Sequence, residues 1–291
     1  MRKIDLTKDP ILPSLAGLAL PIMATSLIQM AYNLIDMLWI GRIGSVAVAA
    51  IGAAGMYMWL SNGLATLAKM GGQVKVAHAL GAKREEEAAE YAQSALQLSL
   101  IFGIGFGLIS VVAATPMISF FKLNSAAVIA DAEIYLQITC GGVVFSFLNQ
   151  VFTGILTAMG NSRVTFVATT IGLVFNIVLD PALIFGLGPL PAMGVVGAAL
   201  ATVFSQVIVT AIFVVIAYKD HVVLRKIHLL KSFHKESMAQ IIRIGFPIGV
   251  QSMFFTAISM IIARMVAGFG DAAVAVQKVG SQIESISWMT A

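Results

Sequence analysis

Apolar stretches long enough to cross a bilayer follow one another along this chain, and charge is confined almost wholly to the segments between them. A helix that traverses about 30 Å of hydrocarbon needs about 20 apolar residues. Such a helix satisfies every backbone amide internally and needs no charge on the side that faces lipid. Composition agrees: 59% of the 291 residues are hydrophobic and 11% are charged, whereas soluble domains carry about 25% charged residues to keep their surface wet. An outer-membrane barrel is excluded, because its strands alternate strictly over about ten residues. The fold class expected is all-α, a polytopic membrane protein.

Eight spans are expected. They cover about residues 14–40, 46–68, 92–114, 134–159, 164–186, 194–217 and 241–267, with an eighth that starts near Asp271 and is still running at Ala291. The longest charged connections are GGQVKVAHALGAKREEEAAE after span two and YKDHVVLRKIHLLKSFHKES after span six. The N-terminus, MRKIDLTKDPILPS, lacks the apolar core and cleavage site of a signal peptide. Of the 18 Lys and Arg, 14 fall in the N-terminus and near the loops after spans two, four and six. Arg42, Lys122 and Arg264 lie towards the other side, and Lys278 lies inside span eight. Positive charge marks the cytoplasmic side, so the N-terminus is expected there. The formal charge of +4 is therefore topological, and no nucleic-acid partner is expected.

Span seven repeats span one. Without gaps, Pro21 falls on Pro247, Ile22 on Ile248, Ser26 on Ser252, Ala31 on Ala257 and Ile35 on Ile261. Past the span, Gly44 falls on Gly270 and Ala47, Val48, Ala49 on Ala273, Val274, Ala275. Two copies starting six spans apart on one side of the membrane imply two parallel six-helix halves, an arrangement that transporters use. The expected division is an N-terminal lobe over 1–217, a cytoplasmic loop over 218–240, and the start of a second lobe over 241–291. A complete second half would hold six spans, so a longer protein of twelve helices is expected, acting as a monomer.

Ionisable residues inside spans are costly and usually functional. Asp36 and Asp180 each lie five or six residues before the outer end of their span, and Thr202 enters span six from the same side. Asn176 precedes Asp180 by one helical turn, on the same face. Pro181 removes a backbone donor and frees the carbonyl of Ile177. Asp36, Asn176, Asp180 and Thr202 thus form a candidate coupling-ion site. Its occupant is either a hard cation such as sodium, which takes oxygen ligands, or a proton, which a desolvated carboxyl can hold. In the repeat, Asp36 falls on Ile262, which confines the ion chemistry to the first half. A polar stripe of Gln29, Tyr32 and Asn33 is the candidate cavity lining, with Asn149, Gln277, Ser281 and Glu284. Pro21, Pro181 and Pro247 are candidate hinges.

Chemistry of other kinds finds no support. There is no CxxC, HExxH, P-loop or dinucleotide-binding fingerprint, and the single cysteine, Cys140, allows no intrachain disulfide. No enzymatic activity and no cofactor are expected beyond the coupling ion.

These residues resemble the multidrug and toxic compound extrusion (MATE) transporters, and within them the bacterial DinF-like branch. The segments that carry the resemblance are LPIMATSLIQMAYNLIDMLWIGRIG, GAKREEEA, AMGNSRV, FNIVLDPALIFG, GVVGAALATVFSQ and GFPIGVQ. The resemblance implies a twelve-helix antiporter in the bacterial inner membrane, exporting amphipathic, often cationic drugs against sodium or proton influx. It also implies that the cation-linked positions of DinF-like members match Asp36, Asn176, Asp180 and Thr202. Another branch carries a glutamate in span seven, and the matching stretch here, SMFFTAIS, has no acid. The partners expected are the lipid bilayer and small amphipathic organic substrates. The competing expectations are a lipid-linked oligosaccharide or lipid flippase, which should show mid-span arginines for pyrophosphate, and a passive channel or non-transporting scaffold.

Overall fold

The computed structural model describes residues 23–24, 27, 30, 34–187, 191–219, 223–224, 227 and 233–290, with 282–283 and 285–290 described by their backbone alone. Every regular element among them is a helix. Helix α1 is continuous over 34–43. It is followed by α2 (Ser45–Gly81), α3 (Glu85–Val112), α4 (Ala114–Ser119), α5 (Ala126–Gly141) and α6 (Val143–Ala158). The remaining helices are α7 (Ser162–Ile184), α8 (Gly194–Lys219), α9 (Lys235–Ala267) and α10 (Asp271–Thr290). Among the described residues, α2, α3, α7, α8 and α9 are each long and apolar enough to cross a membrane, and α5 with α6 makes a sixth span bent by 46°. Helix α10 is more polar than these and does not meet that test. Pro21 and the stripe residues Gln29, Tyr32 and Asn33 lie outside the described residues.

Three boundaries differ from those expected, for one physical reason. Hydropathy ends where the bilayer ends, but a helix ends where its hydrogen bonds and packing end. The stretch after residue 68 was expected to be loop, yet α2 continues to Gly81 as a 37-residue helix. Its Gly71, Gly72, Val76 and Ala79 are buried, while Lys75 and His78 point to the polar side of the same segment. Helix α3 starts at Glu85 rather than 92, with Glu85, Glu86 and Glu87 in its first turn, where acids complement the exposed amides of a helix N-terminus. Helix α9 starts at Lys235 rather than 241. Span four, expected as one helix, is broken at Gly142 between α5 and α6.

The repeat is visible in the backbone. Gly44 and Gly270 have φ of 138° and 109°, values that an L side chain rarely adopts. Each is followed at once by a helix, α2 from Ser45 and α10 from Asp271. The two copies, α1–α2 and α9–α10, meet around α2, which packs against α3, α5, α6, α9 and α10. Contact with α9 is the most extensive. It is close because a Cβ on Gly71 would lie 2.1 Å from the Ile241 carbonyl oxygen, and one on Gly245 would lie 2.0 Å from that of Leu67. Small residues let backbones approach in this way in membrane bundles.

At the basic end of the bundle, polar bonds join the same helices. Lys75 Nζ and Tyr91 OH both donate to Gln240 Oε1, at 2.5 and 2.8 Å. Ser237 Oγ donates to Glu90 Oε1, and His234 Nδ1 lies 3.4 Å from the same oxygen. Away from α2, helix α9 exposes Phe254, Phe255, Ile258, Ile261, Ile262 and Met265, an apolar face suited to lipid or further helices.

Candidate functional site

Asp36 on α1 and the pair Asn176 and Asp180 on α7 come together where α1 approaches its Gly44 end. The two helices are joined there by aromatic contact: the rings of Trp39 and Phe185 meet edge to face at 6.2 Å between centroids. Trp39 also carries the Arg42 guanidinium over its ring at 4.9 Å. One turn deeper, the carboxyl groups of Asp36 and Asp180 lie side by side, within reach of each other. Asn176 Nδ2 donates to Asp180 Oδ1 at 3.3 Å, as expected for residues one turn apart on a helix. Asp180 is 0% exposed and Asn176 1%. Helix α7 runs through Pro181 without interruption.

Hydrogen-bond accounting defines what this arrangement lacks. Asp36 Oδ1, Asp180 Oδ2 and Asn176 Oδ1 are all buried and have no hydrogen-bond donor among the described residues. A buried polar atom without a partner costs about 1–3 kcal/mol, and more when it carries charge, so native proteins rarely leave three together. Oxygens that converge without donors fit a positively charged occupant, either a metal cation coordinated by oxygen or a proton shared between carboxyls. Among the described residues, the basic group whose charge acts on Asp36 is Lys278, on α10.

The other expected site residues are placed as follows. Thr202 is partly buried on α8, with its hydroxyl donating to the Ala198 carbonyl at 3.0 Å in its own helix. Asn149 bridges α6 and α8: its Nδ2 donates to the backbone and side-chain oxygens of Gln206 at 2.9 and 2.8 Å, and its Oδ1 accepts from Thr210 at 2.8 Å. On α10, Gln277 is partly buried, whereas Ser281 and Glu284 are exposed. Ser281 Oγ donates to the Lys278 carbonyl at 2.8 Å. Pro247 lies inside α9, which continues through it. Sequence reasoning noticed Lys278 as a charge inside a span but assigned it no partner, and passed over Trp39. The depth match that grouped Asp36 with Asp180 applies equally to Lys278, which stands as far from Gly270 as Asp36 does from Gly44.

Residues 21–182, more than half of the chain and including Asp36, Asn176 and Asp180, match the MatE family. The chain belongs to that family. It is 28% identical over 282 residues to the "Probable multidrug resistance protein NorM" of Thermotoga maritima, covering 95% of this chain and 59% of that protein. It is 26% identical to the multidrug export protein MepA of Staphylococcus aureus, covering 92% of this chain and 58% of MepA. Among solved structures, a multidrug resistance MATE family transporter in an outward-facing conformation superposes with a TM-score of 0.82 at 28% identity, covering 99% of this chain and 64% of that one. An inward-facing structure of a MATE family transporter superposes at 0.80 with 26% identity, covering 91% of this chain and 61% of that one. This MatE chain thus spans about three fifths of the length of the relatives it matches.

Proposed function

We propose that this MatE chain supplies the first lobe, and the start of the second, of a cation-coupled antiporter that exports amphipathic, often cationic organic compounds by alternating access. The division is 1–217 for the first lobe, 218–240 for the connection and 241–291 for the start of the second. The N-terminus and the basic end are cytoplasmic, by the distribution of Lys and Arg. The observation that carries the proposal is the set of donorless buried oxygens on Asp36, Asn176 and Asp180. Thr202 completes the site from α8, where its hydroxyl oxygen still has lone pairs to offer. Relatives solved in outward- and inward-facing conformations supply the two states that alternating access requires.

In this mechanism sodium or a proton binds the acid pair from outside. Neutralising the carboxylates removes their attraction for a cationic drug, which leaves outward. Release of the ion to the cytoplasm restores the pair for the next substrate. Coupling arises because drug and ion favour different conformations, since equal preference would shift nothing. Pro181 and Pro247, with Pro21 before them, weaken helical hydrogen bonding where bending is needed.

The test is ethidium efflux from proteoliposomes holding the full-length antiporter of which this chain is part, with sodium and proton gradients imposed separately. Efflux that follows one gradient, and disappears in Asp36→Asn and Asp180→Asn proteins that still fold, supports the proposal. Full gradient-driven efflux by both variants overturns it.

A further inference from the structure

The repeat makes Gly52 the counterpart of Lys278, because each stands eight residues beyond its turn glycine, Gly44 or Gly270. The structure brings these two equivalent positions into contact. A Cβ on Gly52 would lie 3.3 Å from Lys278 Cβ, 3.5 Å from its Cγ and 3.8 Å from its Cδ. A Cβ on Gly55 would lie 3.7 Å from Lys278 Nζ. The lysine stem therefore runs along a groove in α2 that two glycines leave open, and a larger residue at Gly52 would crowd it. Depth places the ammonium with the acids. Asp36 stands eight residues before Gly44, so Asp36, Gly52 and Lys278 all lie about 12 Å along their helices from the same end.

The ammonium feels Asp36 more than any other charge among the described residues, yet among those residues Asp36 Oδ1 still lacks a hydrogen-bond donor. So the lysine acts on the acid pair through its field and leaves a coordination position free. When both carboxyls are ionised and the lysine is protonated, the three groups sum to a single negative charge. One monovalent cation neutralises that charge, and a second would be held only against repulsion.

We propose that Lys278 is a tethered counter-cation, delivered by the second copy to the Asp36–Asp180 pair of the first, that limits the pair to one mobile monovalent cation at a time. This rests on the coupling role proposed above and deepens it. Drug cation and coupling ion exclude each other by charge count, which is what exchange requires. Because the ammonium rides on α10, movement of α10 relative to α1 and α7 also changes how strongly the pair holds its cation.

The experiment measures binding of sodium and of tetraphenylphosphonium to the full chain in lipid nanodiscs, each alone and against the other. In the unaltered protein each cation should displace the other competitively. Lys278→Met keeps the stem along Gly52 and removes the charge. It should tighten both cations by about tenfold and let them bind together, so that saturating sodium shifts the tetraphenylphosphonium Kd less than about twofold. Lys278→Arg should restore competition. Should Lys278→Met not fold, Gly52→Val pushes the stem out of its groove and should loosen competition in the same direction. In an Asp36→Asn background, where Asp180 and Lys278 already balance, neither cation should be held, and the further change Lys278→Met should restore the binding of one. Competition that survives loss of the Lys278 charge, or an unaltered protein that binds neither cation, overturns the proposal. A failure of the underlying coupling role shows differently, as Asp36→Asn protein that binds both cations as well as the unaltered protein does.

Discussion

The two copies of the repeated hairpin share a turn and diverge in charge. In the first, α1–α2, the positions eight residues either side of Gly44 are Asp36 and Gly52. In the second, α9–α10, the same positions around Gly270 are Ile262 and Lys278. One copy keeps an acid and leaves a gap, and the other drops the acid and fills the gap with a base. Packed together around α2, they bring unlike residues to matched positions. A duplicated scaffold fixes where side chains can meet, whereas the residues at matched positions decide what chemistry occurs there.

The comparison breaks most sharply at the acids. Asp36→Asn or Asp180→Asn should reduce gradient-driven ethidium efflux to the level of empty liposomes, while thermal stability in detergent holds or rises. Stability should hold because each change removes charge from oxygens that have no donor among the described residues. Retained efflux would mean that the acids of the first copy do not differ in function from Ile262 of the second.

The next largest effect is expected where the copies touch. Gly71→Leu places a side chain where the Ile241 carbonyl lies 2.1 Å from the would-be Cβ. Backbone has to move, at a cost of about 3 kcal/mol. The measurement is the midpoint of thermal unfolding in detergent, which should fall clearly. An unchanged midpoint would show that α2 and α9 are less closely packed than the structure has them.

Much of this was legible in sequence, and what was missed has common causes. The turn glycines stood out because positive φ narrows the choice of residue. The acids stood out because a carboxylate in an apolar run has no cheap explanation, and counting residues from span ends grouped Asp36 with Asp180. The tail of α2 was misread because Gly71 and Gly72 look like helix breakers. Only tertiary structure reveals that they are small so that Ile241 and Ala95 can approach. The break at Gly142 was hidden because apolar residues continue on both sides of it. Lys278 was noticed but left unpartnered, since its partner lies on a helix more than 200 residues earlier and no local pattern joins them.

A comparable effect is expected from copying the acid across the repeat. Ile262→Asp gives the second copy its missing carboxylate, but Ile262 is 48% exposed on an apolar face. The substitution should cost up to about 3–4 kcal/mol in membrane insertion, read as reduced yield of folded protein. It should create no second cation site in a sodium-binding stoichiometry. Two sodium ions per chain would show that the second copy needs only an acid to become equivalent.

The smallest effect separates polar residues within the first lobe. Asn149 is buried, at 7% exposed, but its oxygen and amide are all engaged, by Thr210 and Gln206. Interhelical hydrogen bonds of this kind in membranes contribute about 0.6 kcal/mol on average and at most about 1.7. Asn149→Leu should therefore lower the unfolding midpoint slightly, and Thr210→Val should add little in the same background, because the two residues share a bond. A fall in efflux with no fall in the midpoint would instead make Asn149 part of the substrate cavity. This pair of readouts distinguishes a polar residue that holds the lobe together from one that serves a ligand.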